Sequence, residues 1–289
     1  MNRLALVAAF GLLAGAIPLT AQVPAQAQAP TAAPGKIVTL NGIDLHYEER
    51  GSGEPLLLLH GFGMCGPGDW GSHADELAKT NRVILVDLRG HGWSTNPSGR
   101  FTMRQSAEDI RALLDQLGIR KVRAMGISAG GMTLLHLATK YPDRVEAMVV
   151  IGATSYFPEQ ARRVLRDIGS ALPSEADVAG LSRCASRGQP QVRELMGQFL
   201  GFRDSHEDMN LTAPYLATIK ARTLIIHGDR DEFFPVSIPV EMYQAIPGSQ
   251  LWIVPNGDHV PIYGARRGEF LRITQSFLTA PKTNPAPAR

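Results

Sequence analysis

The stretch GISAGG, Gly126–Gly131, places one serine among small residues at the junction of two different sequence patterns. The apolar run VRAM precedes it, and the helix-like run MTLLHLATKY follows it. Small neighbours allow a sharp turn between a strand and a helix, and such a turn projects the serine hydroxyl outward. The local pattern therefore predicts either a simple tight turn or a nucleophile at Ser128.

Short apolar runs and longer helical stretches alternate on both sides of this turn. The first segment, KIVTLNGIDLHYEERG, predicts a hairpin that turns at Asn41-Gly42. Runs typical of strands buried on both faces follow: PLLLLHG, RVILVDLRGHG, KVRAMGIS, RVEAMVVIGA, ARTLIIHGD and SQLWIVPNGDH. The helical stretches between them are WGSHADELAK, TMRQSAEDIRALLDQLG, AGGMTLLHLATKYP and PVSIPVEMYQAIPG. This order predicts an α/β fold, a doubly wound and mostly parallel sheet with helices on both faces.

The segment 155–216 breaks the alternation. It contains no apolar strand run and is helical, polar and arginine-rich, as in EQARRVLRDIG and QVRELMGQFLGF. An insertion of this length is too long for a simple loop. We therefore expect a helical cap at residues 155–216, between core segments 36–154 and 217–280. The alternative is a set of peripheral helices with no role as a lid.

The N-terminal residues carry the pattern of a secretory signal peptide. Arg3 precedes the apolar stretch LALVAAFGLLAGAI, which is short and rich in glycine and alanine for a membrane span. Ala-x-Ala cleavage candidates follow at residues 25–27 and 27–29, with a weaker one after Ala21. We expect residues 1–29 to comprise the signal peptide and the start of a disordered leader. An exported protein, periplasmic or extracellular and without a stable membrane anchor after cleavage, follows from this prediction.

The composition limits the classes of partner. The 289 residues are 44% hydrophobic and 19% charged, with a formal net charge of +2. This composition suits one globular domain with an insertion, and no basic block suggests nucleic acid as a partner. The chain has two cysteines, Cys65 and Cys184, and neither lies in a C-x-x-C motif or beside a metal-like histidine cluster. An oxidising compartment would allow them to pair, but the sequence alone leaves both a disulfide and two free thiols open.

Polar residues follow the predicted strands where a parallel sheet gathers its sites. They include His60-Gly61-Phe62-Gly63, Ser128 on its turn, His227-Gly228-Asp229-Arg230-Asp231 and Asn256-Gly257-Asp258-His259. A serine, an acid and a histidine thus occur in that order on separate strand ends. A hydroxyl needs a base to become a nucleophile, and the base needs a carboxylate to fix its tautomer.

The same strand ends offer donors for an oxyanion. Backbone N–H groups held in place before the reaction stabilise the negative charge that develops on an attacked carbonyl oxygen. The Ala129 N–H lies at the start of the helix after Ser128, where the helix dipole also favours negative charge. The Phe62 N–H in the HGFG loop is a candidate for the second donor.

These motifs together resemble the α/β-hydrolase family. The resemblance covers about Ile37 to Leu278 and includes HGFG, DLRGHGWS, GISAGG, HGDRDEFFP and GDHVP, with the family's order of serine, acid and histidine. It implies a serine hydrolase, carboxylesterase-like and with a helical cap. The catalytic residues it implies are Ser128, Asp231 and His259, with Phe62 and Ala129 as oxyanion donors. Asp229 is an alternative acid from the residues alone, and the resemblance favours Asp231.

Four other histidines are predicted to be structural. His60 and His91 each precede a glycine in a tight loop, His227 ends a strand, and His136 lies within the helix after Ser128. The expected function is a secreted serine hydrolase that cleaves a small-molecule carboxylic ester through an acyl-enzyme, without a metal or organic cofactor. A C–C bond hydrolase and a cofactor-free perhydrolase are alternatives on the same fold. A non-catalytic ligand-binding protein is the alternative from another class.

Overall fold

A computed structural model of the protein describes residues 34–170, 178 and 181–280. The expected signal peptide at residues 1–29 lies outside the described residues. Within the part that is described, no helix is long and apolar enough to cross a membrane.

Eight strands form one sheet in the order β1-β2-β4-β3-β5-β6-β7-β8. The first three strands in this order pair antiparallel, and every later neighbour pairs parallel. The strands are β1 Lys36–Leu40, β2 Ile43–Arg50, β3 Pro55–Leu59, β4 Arg82–Val86, β5 Val122–Ile127, β6 Val145–Ile151, β7 Arg222–Gly228 and β8 Gln250–Val254. The sequence prediction of a mostly parallel sheet that starts with a hairpin is confirmed.

The hairpin turn shows why Asn41-Gly42 joins β1 and β2. Asn41 has φ 45° and Gly42 has φ 74°. A two-residue hairpin turn with positive φ at both positions matches the twist of the paired strands, and asparagine and glycine adopt this conformation at the lowest cost. The local sequence therefore fixes the register in which Leu40 lies opposite Ile43.

The described helices cover both faces of the sheet. They are α1 Gly66–Leu77, α2 Met103–Gln116, α3 Ala129–Lys140, α4 Glu159–Ser170, α5 Gln189–Gly201, α6 Ala213–Leu216, α7 Ser237–Ala245 and α8 Arg267–Thr279. Helix α8 was not among the helices predicted from sequence. Its residues Phe270, Leu271 and Phe277 are buried against the sheet together with residues of α1.

Alternation along β3 shows how the two layers share the sheet. Leu56 and Leu58 pack in the cluster that contains α1 and α8, whereas Leu57 and Leu59 pack in the cluster that contains α2, α3 and α7. Successive side chains of a strand point to opposite faces, so a strand buried on both faces must be apolar throughout. This is the physical reason for the continuous run PLLLL.

The described part of segment 155–216 is mainly helical. Helices α4 and α5 and a 3₁₀ turn at Phe202–Asp204 lie within it. An isolated antiparallel bridge joins Tyr156 to Asn210, so the two ends of the segment lie side by side. Residues 171–177 and 179–180 of the expected cap are outside the described residues.

A disulfide ties this segment to the core. Cys65, immediately before α1, is bonded to Cys184, 119 residues later. Around it, Ser186 Oγ donates to the Gly92 carbonyl at 2.6 Å, and Gln191 Nε2 donates to the Gly92 carbonyl at 2.9 Å. The structure thus shows a disulfide where the sequence left both a disulfide and two free thiols open. The disulfide and these hydrogen bonds connect residues 184–191 to two core loops.

Removing this disulfide should destabilise the folded protein. Closing a loop of 119 residues restricts the unfolded chain, so the double variant Cys65→Ser/Cys184→Ser should lose about 4 kcal/mol of unfolding free energy. Urea denaturation of the wild type with and without reductant measures the effect. Reductant should leave the double variant unaffected, and an unchanged wild-type midpoint in reductant would contradict the prediction.

Candidate active site

The backbone at Ser128 adopts the sharp turn that the GISAGG motif predicts. Ser128 has φ 47° and ψ −113° and lies directly between β5 and α3. A Cβ on Gly126 would lie 2.5 Å from the Gly130 carbonyl carbon, and one on Gly130 would lie 2.5 Å from the Leu59 carbonyl oxygen. Both positions therefore require glycine, and the close packing around them holds Ser128 in its strained conformation.

Three side chains from separate strand ends form one hydrogen-bonded chain. The Ser128 hydroxyl lies 3.0 Å from His259 Nε2, and His259 Nδ1 lies 2.9 Å from Asp231 Oδ2. A carboxylate can only accept, so Nδ1 carries the ring proton and Nε2 is free to accept from the serine hydroxyl. The arrangement matches the geometry of a nucleophile, its base and the group that orients the base.

The two candidate acids have different surroundings. Asp231 is 7% exposed, and its second oxygen accepts from the backbone N–H groups of Phe233 at 2.8 Å and Phe234 at 3.1 Å. Asp229 instead accepts from the Gly257 N–H at 3.2 Å. Of the two candidate acids, Asp231 is the one that hydrogen bonds to His259 in the described part of the protein. This observation distinguishes it from Asp229.

Charge and burial act against each other in the Asp231–His259 pair. Burial disfavours the ionised carboxyl, but the charge and hydrogen bond of His259 outweigh it and lower the pKa of Asp231. Burial also disfavours the imidazolium, but the charge and hydrogen bond of Asp231 outweigh it and raise the pKa of His259 above its ordinary value. A base with a raised pKa accepts a proton from serine more readily than free imidazole does.

Phe62 and Ala129, whose N–H groups are the predicted oxyanion donors, belong to the same cleft as Ser128. Both residues line the cleft that contains Ser128, and Ala129 is the first residue of α3. Within the described residues, neither N–H donates a hydrogen bond to another protein group. Both donors are thus free to bind an oxygen in the cleft.

The cleft above Ser128 is mainly apolar. Its polar lining side chains are those of Asp69, Ser128, His259 and Tyr263. Six aromatic side chains from the core loops and from segment 155–216 form part of the remaining wall: Phe62, Phe157, Phe199, Phe202, Phe233 and Phe234. No lysine or arginine is found among the described residues that line the cleft.

His60 and His91 have structural partners. His60 Nε2 accepts from the Leu88 N–H at 2.9 Å, and its Nδ1 donates to the Gly61 carbonyl at 2.6 Å. His91 Nδ1 donates to the Arg89 carbonyl at 2.9 Å. Burial and the neighbouring His60 lower the pKa of His91 to about 3, so the ring is neutral. Both rings link core loops.

His136 and His227 also bond to backbone. His136 Nε2 donates to the Asp208 carbonyl at 2.7 Å, and His227 Nε2 donates to the Phe234 carbonyl at 2.9 Å. Neither residue lines the cleft. Both observations agree with the structural roles predicted for them.

The DLRGHGWS motif holds a buried carboxylate away from the cleft. Asp87 accepts hydrogen bonds from His46 Nδ1 at 2.8 Å, from the Gly66 N–H at 2.8 Å and from the Trp93 N–H at 3.0 Å. It therefore fixes the start of α1 and the loop that contacts the disulfide-bonded segment. Its role is structural.

Two polar residues of the cleft, Asp69 and Tyr263, were not predicted from the sequence. Asp69, in the first turn of α1, accepts from the Gly61 N–H at 2.7 Å, and its carbonyl accepts from the Tyr263 hydroxyl at 3.0 Å. A single acid before a tryptophan gives no sequence signal for such a position. Only the fold brings it beside Ser128.

Metal ligands do not cluster in the described part of the chain. Residues 34–170, 178 and 181–280 contain no group of three or more His, Cys, Asp or Glu side chains that could hold a metal ion.

Comparison with known proteins agrees with the fold and the motifs. Residues 54–177 match the sequence profile of the alpha/beta hydrolase fold. The serine hydrolase BPHL of Mus musculus is 30% identical over 261 residues, which cover 86% of this chain and 87% of that protein. The 2-hydroxy-6-oxo-2,4-heptadienoate hydrolase of Pseudomonas putida is 27% identical over 270 residues, 85% of this chain and 96% of that protein.

A solved structure shows the same fold. The meta-cleavage product hydrolase CumD of Pseudomonas fluorescens superposes with a TM-score of 0.70 at 23% identity, covering 84% of this chain and 97% of that one. The chain belongs to the alpha/beta hydrolase family, and it is a hydrolase.

Proposed function

We propose that the protein is a serine hydrolase that cleaves a carboxylic ester through an acyl-enzyme on Ser128. The observation that carries this proposal is the hydrogen-bonded chain from Ser128 through His259 to Asp231. Phe62 and Ala129, whose N–H groups donate no hydrogen bond to another described group, line the same apolar cleft as Ser128. The proposal needs no metal or organic cofactor.

The proposed mechanism assigns one role to each group. Ser128 Oγ attacks the ester carbonyl while His259 Nε2 takes its proton, and the N–H groups of Phe62 and Ala129 bind the oxyanion. His259 then returns the proton to the departing alcohol, which leaves the acyl group on Ser128. Water repeats these steps and releases the acid. Asp231 holds His259 in the required tautomer throughout and stabilises its protonated form.

A C–C bond hydrolase is the second candidate, because the Pseudomonas putida relative is named a 2-hydroxy-6-oxo-2,4-heptadienoate hydrolase. The substrate in that name is a dienoate, which is a carboxylate anion. The described lining of this cleft holds one acid, Asp69, and neither lysine nor arginine. An anion in an apolar cleft needs a compensating positive charge. The charge of the cleft therefore favours an ester over a dienoate.

A substrate panel separates these two candidates. We expect the wild type to hydrolyse p-nitrophenyl butyrate with a kcat/KM at least a hundredfold above that for a 2-hydroxy-6-oxo-dienoate. The ester assay follows release of nitrophenol, and the dienoate assay follows loss of the chromophore. A higher kcat/KM for the dienoate would show that the second candidate is correct.

The activity should rise with pH as His259 loses its proton. Only the neutral imidazole can act as the base, and the ordinary pKa of histidine is about 6.5. Because the pKa of His259 is raised, half of the maximal kcat/KM should be reached above pH 6.5. The profile is measured on a short-chain ester, with the folded fraction checked at each pH. A flat profile from about pH 5 to 8 would exclude His259 as the base.

Segment 155–216 is proposed to act as a cap that sets the choice of acyl or alcohol group. Ala161 and Leu165 of α4 and Phe199 of α5 line the cleft, so this segment forms part of its wall. Pocket shape determines which substrates fit.

Export to the periplasm or the extracellular space is proposed from two features. The first is the signal-like sequence at residues 1–29. The second is the disulfide between Cys65 and Cys184, because such bonds persist in oxidising compartments.

A further inference from the structure

The carboxyl group of Asp69 lies beside Ser128 and is not used in the proposed mechanism. A Cβ placed on Gly61 would lie 3.4 Å from Asp69 Oδ2 and 3.6 Å from Ser128 Cβ. The two side chains therefore lie on either side of Gly61 and close to each other. Both residues line the same cleft. Any substrate whose carbonyl reaches Ser128 therefore brings its neighbouring atoms to Asp69.

Asp69 is held firmly in this position by contacts from two sides. Its Oδ2 accepts from the Gly61 N–H at 2.7 Å, and its backbone carbonyl accepts from the Tyr263 hydroxyl at 3.0 Å. Its own N–H donates to the Cys65 carbonyl at 3.1 Å. The Tyr263 side chain also interacts with this carboxyl, so a ligand at Oδ1 would lie beside Tyr263.

The charge of Asp69 lacks a permanent cationic partner. Among residues 34–170, 178 and 181–280, no ion pair includes Asp69, and no lysine or arginine lines the cleft. Burial raises the pKa of Asp69, against the opposing effects of His60, the Gly61 N–H, His259 and the hydrogen bond from the Tyr263 side chain. A carboxylate in such surroundings is poorly solvated, so a bound cation would stabilise it strongly.

Other groups around the site favour a positive ligand as well. Glu232 and Asp258, together with Asp231, act on His259 with negative charge. Six phenylalanine rings line the cleft, and the faces of aromatic rings attract ammonium groups. A carboxylate such as Asp69 in a cleft lined by phenylalanine rings is suited to bind an organic cation.

On these grounds, and resting on the proposed esterase function, we infer that Asp69 forms a cation subsite. The subsite selects esters that carry an ammonium group within a few bonds of the scissile carbonyl. The cation would contact Asp69 Oδ1 while the carbonyl carbon lies at Ser128. The same subsite would repel esters that carry a carboxylate.

Isosteric ester pairs test this inference. Butyrylcholine and 3,3-dimethylbutyl butyrate have the same shape and differ by the positive charge on the alcohol side. Trimethylglycine ethyl ester and ethyl 3,3-dimethylbutyrate place the same difference on the acyl side. We expect the wild type to prefer the charged ester in at least one pair by about tenfold in kcat/KM, mainly through a lower KM. Equal kcat/KM values within both pairs would overturn the inference.

The variant Asp69→Asn is the matched test of the residue. Asparagine retains an oxygen that can accept from the Gly61 N–H, but it lacks the charge. The preference within the selected pair should fall about tenfold, whatever happens to the absolute rates. An unchanged preference would show that Asp69 is not its source.

A binding experiment covers the cases in which Asp69→Asn fails to fold or no ester is cleaved. Tetramethylammonium chloride should bind the wild type by calorimetry, and sodium chloride at the same ionic strength should not. Absence of binding would overturn the cation subsite. Binding without hydrolysis of any ester would instead contradict the proposed function and leave the subsite supported.

Discussion

Replacing Ser128 with alanine should reduce kcat for a short-chain chromogenic ester by about 10⁶-fold, in line with the loss seen when a triad serine is removed from a serine protease. The reason is that the variant has no atom that can form the acyl-enzyme. Ser128 Oγ lies 3.0 Å from His259 Nε2, so the hydroxyl is within hydrogen-bond distance of the proposed base. The oxyanion donors and the cleft remain, and they account for the residual rate.

The control for this variant is Ser98→Ala. Ser98 lies in an exposed loop and hydrogen bonds to Asn96 at 2.8 Å, away from the cleft. It should retain the wild-type rate. Thermal unfolding of both variants checks that the fold is intact. A Ser128→Ala protein that remains folded and retains more than about a hundredth of the activity would exclude Ser128 as the nucleophile.

Replacing Asp231 with asparagine should reduce kcat by about 10⁴-fold, by analogy with the same change in a serine protease. An asparagine at this position would donate its amide hydrogens toward His259 Nδ1. The ring would then carry its proton on Nε2 and could not accept one from Ser128. Removing the negative charge would also destabilise the imidazolium formed during the reaction. The N–H groups of Phe233 and Phe234 still have an oxygen to bind, so the loop should keep its shape.

The variant Asp229→Asn is the matched control for Asp231→Asn. Asp229 lies two residues earlier in the same loop, and it accepts from the Gly257 N–H at 3.2 Å rather than from His259. An asparagine oxygen can replace that acceptor, so most of the activity should remain. If Asp229→Asn is inactive and Asp231→Asn retains nearly wild-type activity, the assigned acid is wrong.

The strands along the chain could be predicted because their sequences carry strong local signals. Runs such as PLLLL are apolar at every position, which only a strand buried on both faces requires. The turn at Asn41-Gly42 has one favoured geometry. Helix α8 was not predicted, although Phe270, Leu271, Thr274, Phe277 and Leu278 have helical spacing and are buried. This spacing is itself a sequence signal for a helix.

The parts of the site that could not be predicted depend on distances between distant segments. The residues alone leave Asp229 and Asp231 nearly equivalent. The family resemblance favours Asp231, and the folded loop brings the Asp231 carboxylate to His259. The pairing of Cys65 with Cys184 spans 119 residues and has no local signal. Asp69 reaches the cleft because α1 begins beside the HGFG loop, which is likewise a tertiary property.

The most direct test of the account is to trap the proposed acyl-enzyme. The wild type is mixed with p-nitrophenyl butyrate, quenched in acid within milliseconds, and analysed by intact and peptide mass spectrometry. We predict a burst of nitrophenol and a butyryl group on the peptide that contains Ser128, with neither in Ser128→Ala. A butyryl group on another residue, or steady turnover with no acylated Ser128, would contradict the central claim.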